Sequence, residues 1–226
     1  MKKVFLLLLL SASSLVSFAQ SVSLGIKGSV NLASLNNKYS YTTLRSSTGS
    51  ITSFAIGAFA DLRLGNWSVQ PGAYFAGKGG KESQFISGTD LVGGYSAKLN
   101  PFYVQVPVPV LYHIPVVAGE IFLGVGPYAA FAVSGKISGS STYAQEGDPG
   151  FQSQTTNIDR SLKFGNTQGD DLKSRDYGAT FLAGFKLTNG ILLSANYDLG
   201  ISDIGVSASR VNRHNHVLGF SVGIMF

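Results

Sequence analysis

The last eleven residues constrain this chain more than any other stretch. From His216 to Phe226 it alternates strictly. Leu218, Phe220, Val222, Ile224 and Phe226 fall on one face of an extended strand, and Val217, Gly219, Ser221, Gly223 and Met225 fall on the other. A soluble strand packs its apolar face against a core, and its terminus is usually frayed and polar. Large apolar residues on one side with small ones on the other suit a wall between lipid and a narrow interior.

The other end is consistent with export. Lys2 and Lys3 precede an unbroken apolar run, Val4 to Leu10, and small residues follow as far as Ala19. This is the pattern of a secretory signal peptide over residues 1–19, with cleavage after Ala19 and the mature domain spanning 20–226. A retained anchor fits less well, because the apolar core is short for a bilayer-spanning helix. No later apolar run is long enough for a membrane helix. There are no cysteines, which excludes disulfides, thiol catalysis and cysteine-bound metal. The formal charge of +5 falls to about +3 without Lys2 and Lys3, too little to argue for nucleic acid.

Period-two alternation recurs in eight segments, at residues 23–32, 53–64, 67–78, 102–112, 120–133, 177–187, 191–199 and 216–226. Most have the length that crosses a bilayer when tilted. Short connections (Gly65-Asn66, His113 to Gly119, Thr188 to Gly190) alternate with long ones near 33–52, 79–99, 134–176 and 200–214. The pattern predicts an eight-stranded antiparallel up-and-down transmembrane β-barrel with short periplasmic turns and long extracellular loops. Aromatic residues on the outward face sort by height. Phe54, Phe75, Phe102, Phe131, Tyr177 and Tyr197 lie toward the long loops, and Trp67, Tyr112 and Phe226 toward the short turns, as two interfacial girdles would require.

Several motifs in order resemble the PorT-like outer-membrane β-barrel proteins of Bacteroidetes, often labelled "porin family". They are LGIKGSVNLASL, SFAIGAFADLRLG, WSVQPGAYFAGKGG, FYVQVPVPVLY, Gly126-Pro127-Tyr128, LLSANYDLGISDI and LGFSVGIMF. The pair Pro107 and Pro109 departs from the single proline expected in the fourth strand. The resemblance implies an outer-membrane location and no single shared activity. The terminal strand, with Phe220 and Phe226, also resembles the signal read by the barrel-assembly machinery.

The inward positions include Lys27, Asp61, Arg63, Lys78, Glu120, Lys186 and Asp198, with Gln70, Gln105 and Asn196. The two signs are nearly balanced. Eight strands enclose an interior that side chains can fill, so these residues predict a polar plug of ion pairs rather than a solute path. Pro107 and Pro109, two apart, would leave one seam without two ladder donors.

Catalysis has little support. His214 and His216 share a face but lack further ligands, and His113 falls at a predicted turn. No Gly-x-Ser-x-Gly nucleophile motif occurs. No cofactor or metal site is predicted. Asp148, Asp159, Asp170, Asp171 and Asp176 lack the ordered spacing of a calcium loop. The segment 134–176 is the expected functional surface, because rigid scaffolds carry function on loops, with a short extra strand pair above the membrane as the alternative to an open loop. The expected role is a non-enzymatic outer-membrane barrel whose loops bind a ligand or partner. An accessory subunit in secretion or envelope assembly is the alternative, and an outer-membrane enzyme is more distant. The expected partners are outer-membrane lipid, the assembly machinery and an envelope protein.

Overall fold

The computed structural model describes residues 21–39, 45–87, 91–147, 150–206 and 211–226. The expected signal peptide, and Asp148 in the long loop, lie outside the described residues.

The described residues form thirteen strands in one antiparallel sheet. These are β1 (Ser21–Tyr39), β2 (Arg45–Gly49), β3 (Ile51–Leu64), β4 (Trp67–Val69), β5 (Gly72–Gly77), β6 (Gly80–Ser87), β7 (Leu91–Pro107), β8 (Val110–Val116), β9 (Gly119–Gly147), β10 (Gly150–Ser161), β11 (Arg175–Leu187), β12 (Ile191–Gly200) and β13 (Val211–Met225). The sheet has no start or end at β1, which is paired on both edges. It pairs with β13 from Gly25↔Met225 to Tyr39↔Val211 and with β3 from Ser21↔Arg63 to Ala33↔Ile51. From β13 the ladder runs through β12, β11 and β9, then through β7 and β8 to β5 and β4, and so back to β3. The terminal residue extends the seam, as Leu24 and Phe226 exchange both backbone hydrogen bonds, at 3.1 and 2.8 Å.

Thirteen strands stand where eight segments were expected, and prolines account for two of the extra breaks. Pro71 separates β4 from β5, and Pro107 and Pro109 separate β7 from β8. The Val108 N–H bonds Pro127 on β9, while the Pro109 carbonyl accepts from Gln70 on the opposite side. Alternate residues of a strand point to the same neighbour, so the two prolines withhold their missing donors from the β4–β5 side. The seam falls where the two-residue proline spacing placed it.

The other extra strands come from the segments expected to be long loops. β9 runs for 29 residues and folds back as β10, from Lys136↔Ser161 to Gly147↔Gly150. β6 and the first part of β7 form a second extended hairpin, which β2 flanks. Ser, Thr and Gly carry no apolar alternation, so the composition of these segments does not separate a solvated ladder from a loop. The short turns are at Gly65-Asn66, Val117-Ala118 and Thr188 to Gly190. Gly65 and Gly190 have φ of 60° and 86°, which favours glycine there.

One face of the sheet is an apolar band. Leu24, Ile26, Val30, Ile56, Leu123, Val125, Leu193, Phe220 and Val222 are among its exposed residues. Phe75 stacks on Phe102 at 5.0 Å with planes 4° apart, and Phe54 packs on both. Trp67 meets Tyr112 at 4.9 Å at the opposite end of the strands. Both groups fall where the alternation placed them.

Candidate functional site

The other face is enclosed, and its side chains form successive layers. At the short-turn end the Arg63 guanidinium forks onto Glu120 at 2.9 and 2.6 Å. Lys186 reaches the same carboxylate at 3.2 Å. Asp61 accepts the Ser68 hydroxyl at 2.6 Å. Ser68 also meets His113 Nε2 at 2.9 Å, and His113 Nδ1 lies 3.3 Å from Glu120. His113 was expected at a turn. β8 instead continues to Val116, and the imidazole is buried on the inner face. The turn signal was misplaced because Pro115 sits within the strand rather than after it.

Ser68, His113 and Glu120 have the residue types of a hydrolytic triad, but the proton arrangement is wrong for one. A nucleophilic serine gives its proton to the imidazole. Ser68 gives its proton to Asp61, so His113 Nε2 is left to donate toward the serine oxygen. The hydroxyl and the ring are also both buried.

An apolar layer comes next. Phe59, Tyr74, Leu111, Phe122, Leu182 and Leu192 pack together, with Met225 against them. The alternation places Phe59, Tyr74, Leu111 and Phe122 inward, but that they join Leu182 and Leu192 in one apolar layer within the expected polar plug depends on the stagger between strands. Gly57 and Gly184 make the room, since a Cβ at either would run into Tyr74 or Phe122.

Beyond it, Asp198 accepts from Thr180 at 2.7 Å and Gln105 at 2.9 Å. Lys27 was expected in an ion pair. Its ammonium instead lies over the rings of Tyr74 and Phe59, at 5.1 and 5.8 Å. Lys27 and Asp198 border a small chamber of about 50 Å³, also lined by Asn31, Gln105, Asn196 and Ser221.

The most deeply buried pair follows. Lys78 and Asp176 meet at 3.0 Å, with side chains 1% and 0% exposed. Asp176 also accepts from Tyr128 at 3.2 Å, Asn215 at 3.0 Å and Ser202 at 3.2 Å. The Lys78 ammonium lies 3.9 Å from the centre of the Tyr128 ring. The alternation places Lys78 inward and the acidic composition places Asp176 in a solvated loop. Asp176 is instead the second residue of β11, and its neighbour Tyr177 on the outward face was the available signal.

A final ion pair, Arg213 with Glu82 at 2.8 and 3.1 Å, is joined by Asn37 at 2.7 Å. Neither charged residue was among the expected interior set. Over it sits a lid of residues 162–174 and 201–206, with Leu162, Leu172 and Ile204 packed on Leu35, Leu99 and Ile137. Its rim is pinned by Arg160 to Asp171, at 2.7 Å through both nitrogens, and by Lys173 to Asp203 at 2.9 Å. Burial alone would raise the Asp171 carboxyl. The Arg160 guanidinium and the Lys163 N–H outweigh it and hold the group below the ordinary carboxylate range. Asp203 is held down in the same way, against its burial, by the Arg213 N–H and the Lys173 ammonium.

Of the seven expected interior charges, Arg63, Glu120 and Lys186 meet in one cluster that Asp61 borders through Ser68 and His113. Lys27 and Asp198 share the chamber, and Lys78 pairs with a residue the sequence reading placed elsewhere. No cluster of three or more histidine, aspartate or glutamate side chains suited to a metal occurs among the described residues.

Among solved structures, the chain is similar to Neisserial surface protein A, with 11% identity over 91% of this chain and 98% of that one and a TM-score of 0.40. It is also similar to the outer membrane protein OprG of Pseudomonas aeruginosa, with 13% identity over 92% and 97% and a TM-score of 0.38. The attachment invasion locus protein Ail of Yersinia pestis gives 12% identity over 91% and 97% and a TM-score of 0.35. No curated protein matches the sequence. The family described as "Outer membrane protein beta-barrel domain" matches residues 18–205, most of the chain. This chain belongs to that family of outer-membrane β-barrel proteins.

Proposed function

We propose that the protein is a closed, non-conducting and non-enzymatic barrel of eight staves that displays a binding surface outside the outer membrane. Each stave is one of the expected segments. β2 with β3, β4 with β5 and β6, and β7 with β8 make three of them. β1, β9, β11, β12 and β13 are the others, and β10 is the return arm of a hairpin above the membrane. The observation that carries the reading is the buried Lys78–Asp176 pair, closed below by the apolar layer and above by the lid. An ion crossing this interior would have to leave water at an apolar layer, at a cost of several kcal/mol.

Protein reconstituted in planar bilayers should give no steady conductance. Large, stable single-channel currents from the wild type would overturn the closed reading. The non-enzymatic part rests on Ser68, whose proton is committed to Asp61.

In this reading Phe220 and Phe226 carry the assembly signal. Both rings face outward, at 56% and 73% exposed, so they add nothing to the interior. Deleting Phe226 should therefore reduce insertion in cells while leaving refolding in detergent nearly unchanged. Equal loss in both would make Phe226 a plain stability residue.

The resemblance to PorT-like proteins supports a second reading, an accessory role in secretion or envelope assembly. One observation favours it. Among the described residues β10 pairs only with β9, which leaves its other edge open to a protein partner. A pull-down from native membranes with the tagged protein separates the two readings.

A further inference from the structure

From the outward face of β2, β6, β7 and β9 we infer that the protein binds a phosphorylated glycolipid headgroup of the outer leaflet. The inference names the ligand for the surface proposed above and rests on the membrane placement of that reading.

Lys81 and Lys98 are directly opposed in the β6–β7 ladder, and both are exposed. Like charges in that position repel. Among the described residues no ion pair to either is present. Lys136, on the same face, is already paired with Asp159 at 2.8 Å. Two opposed ammonium groups are stabilised by an anion between them, and a phosphate monoester is a compact one.

Height selects where that anion comes from. Lys98 lies four residues from Phe102 on the same face of β7, and Phe102 belongs to the outer aromatic girdle. Four residues span about 13 Å of strand, or roughly 10 Å of height at barrel tilt. Flexible lysine stems reach back toward the membrane from there. The two amines are thus placed at the level of lipid headgroups.

The surface above the lysines fits sugar. Ser47, Ser83, Ser96 and Ser140 lie in one cross-strand row over four strands. The Ser83 and Ser96 hydroxyls are 3.2 Å apart. They line a concavity of about 490 Å³ with Phe85 and Thr142. Phe85 is 50% exposed and stands opposite Gly94, so its ring is available for a pyranose to stack on. A phosphate on the lysines with sugars running outward across the hydroxyl row matches a phosphorylated glycolipid, and a simple phospholipid would leave the upper row unused.

The test uses the full mature protein folded in detergent. The probes are lipid A carrying its core sugars and phosphates, the same lipid after phosphatase treatment, and phosphatidylglycerol. Native mass spectrometry reads lipid retention. The shift of the folded band on boiling, in SDS gels, reads the fold. The wild type should retain the phosphorylated glycolipid in preference to both other lipids. Lys81→Gln with Lys98→Gln should reduce retention about tenfold or more, whereas Lys163→Gln, an exposed lysine on the lid, should not. Phe85→Ala should reduce retention of the glycolipid without altering that of phosphatidylglycerol.

Equal retention by the wild type and the double variant, both showing the band shift, overturns the inference alone. Equal retention of phosphatidylglycerol and the glycolipid by the wild type overturns the sugar site. A wild type without any band shift overturns the barrel reading and this inference with it.

Discussion

Replacing Asp176 with alanine should cost about 3–5 kcal/mol of unfolding free energy, among the largest losses available to a single substitution here. The cost is not the value of the Lys78–Asp176 attraction. It arises because Lys78, 1% exposed, would keep a charge with no counter-ion and no water. Tyr128 and Asn215 would also lose their acceptor. A paired variant separates these contributions. Asp176→Asn keeps an acceptor oxygen but leaves the ammonium uncompensated, so alone it should remain strongly destabilising. Combined with Lys78→Met, it should recover most of the loss, because no charge is then buried. Urea titrations of the folded protein in detergent, followed by the boiling-dependent band, measure all three. Alanine at 176 behaving like the wild type would mean that water reaches Lys78 and that the interior is open.

The second large effect concerns the lid. Leu172 is wholly buried beside Leu162 and Ile204. Leu172→Asp puts a carboxylate with no partner into that apolar cluster, a penalty of several kcal/mol. The lid should release and the wall should stay, because the strands below it keep their own ladder and layers. Proteolysis within residues 162–174 should rise about a hundredfold, corresponding to a local opening easier by roughly 3 kcal/mol. The boiling-dependent band should persist. If the band is lost as well, lid and wall fold as one unit.

Acid should act in the same direction. Asp171 and Asp203 have folded pKa values below the ordinary carboxylate value. Their contribution is therefore present above the unfolded carboxylate range, near pH 4, and is lost as pH falls through the lower folded values.

The wall was legible because lipid imposes a period of two that nothing else in the chain disturbs. Leu218, Phe220, Val222 and Ile224 lie on the outer face, and Phe226 closes onto Leu24, as the alternation required. Prolines and turn glycines marked the short ends for the same local reason. The interior was legible only by side. Arg63, Glu120 and Lys186 were each assigned inward from parity, and they do meet. Which charge meets which depends on the stagger between strands that are not adjacent, and a single strand carries no record of that. Lys27 with its aromatic neighbours differs on that account, whereas Asp176 differs because β11 begins before the expected segment at Tyr177. The long connections were undecided for a different reason. Hydroxyl and glycine residues carry no hydrophobic period, and so the segment 134–176 offers a loop and an extra strand pair alike; β9 and β10 form the pair.

The apolar layer between the Glu120 cluster and the Lys78–Asp176 pair has an electrical consequence. Along β9, Glu120 and Tyr128 are eight residues apart, about 26 Å of strand. The Glu120 end of that space is filled by Phe59, Leu111, Phe122 and Leu182, and Lys27 with Asp198 lies beyond them on the Lys78–Asp176 side. The layer works as an insulator between two charge reservoirs, each close to neutral in itself. Substitutions in one reservoir should therefore add to those in the other without coupling, as sites more than 7–10 Å apart with no shared partners usually do. Either end of the interior is then free to change its polar chemistry without renegotiating the opposite end.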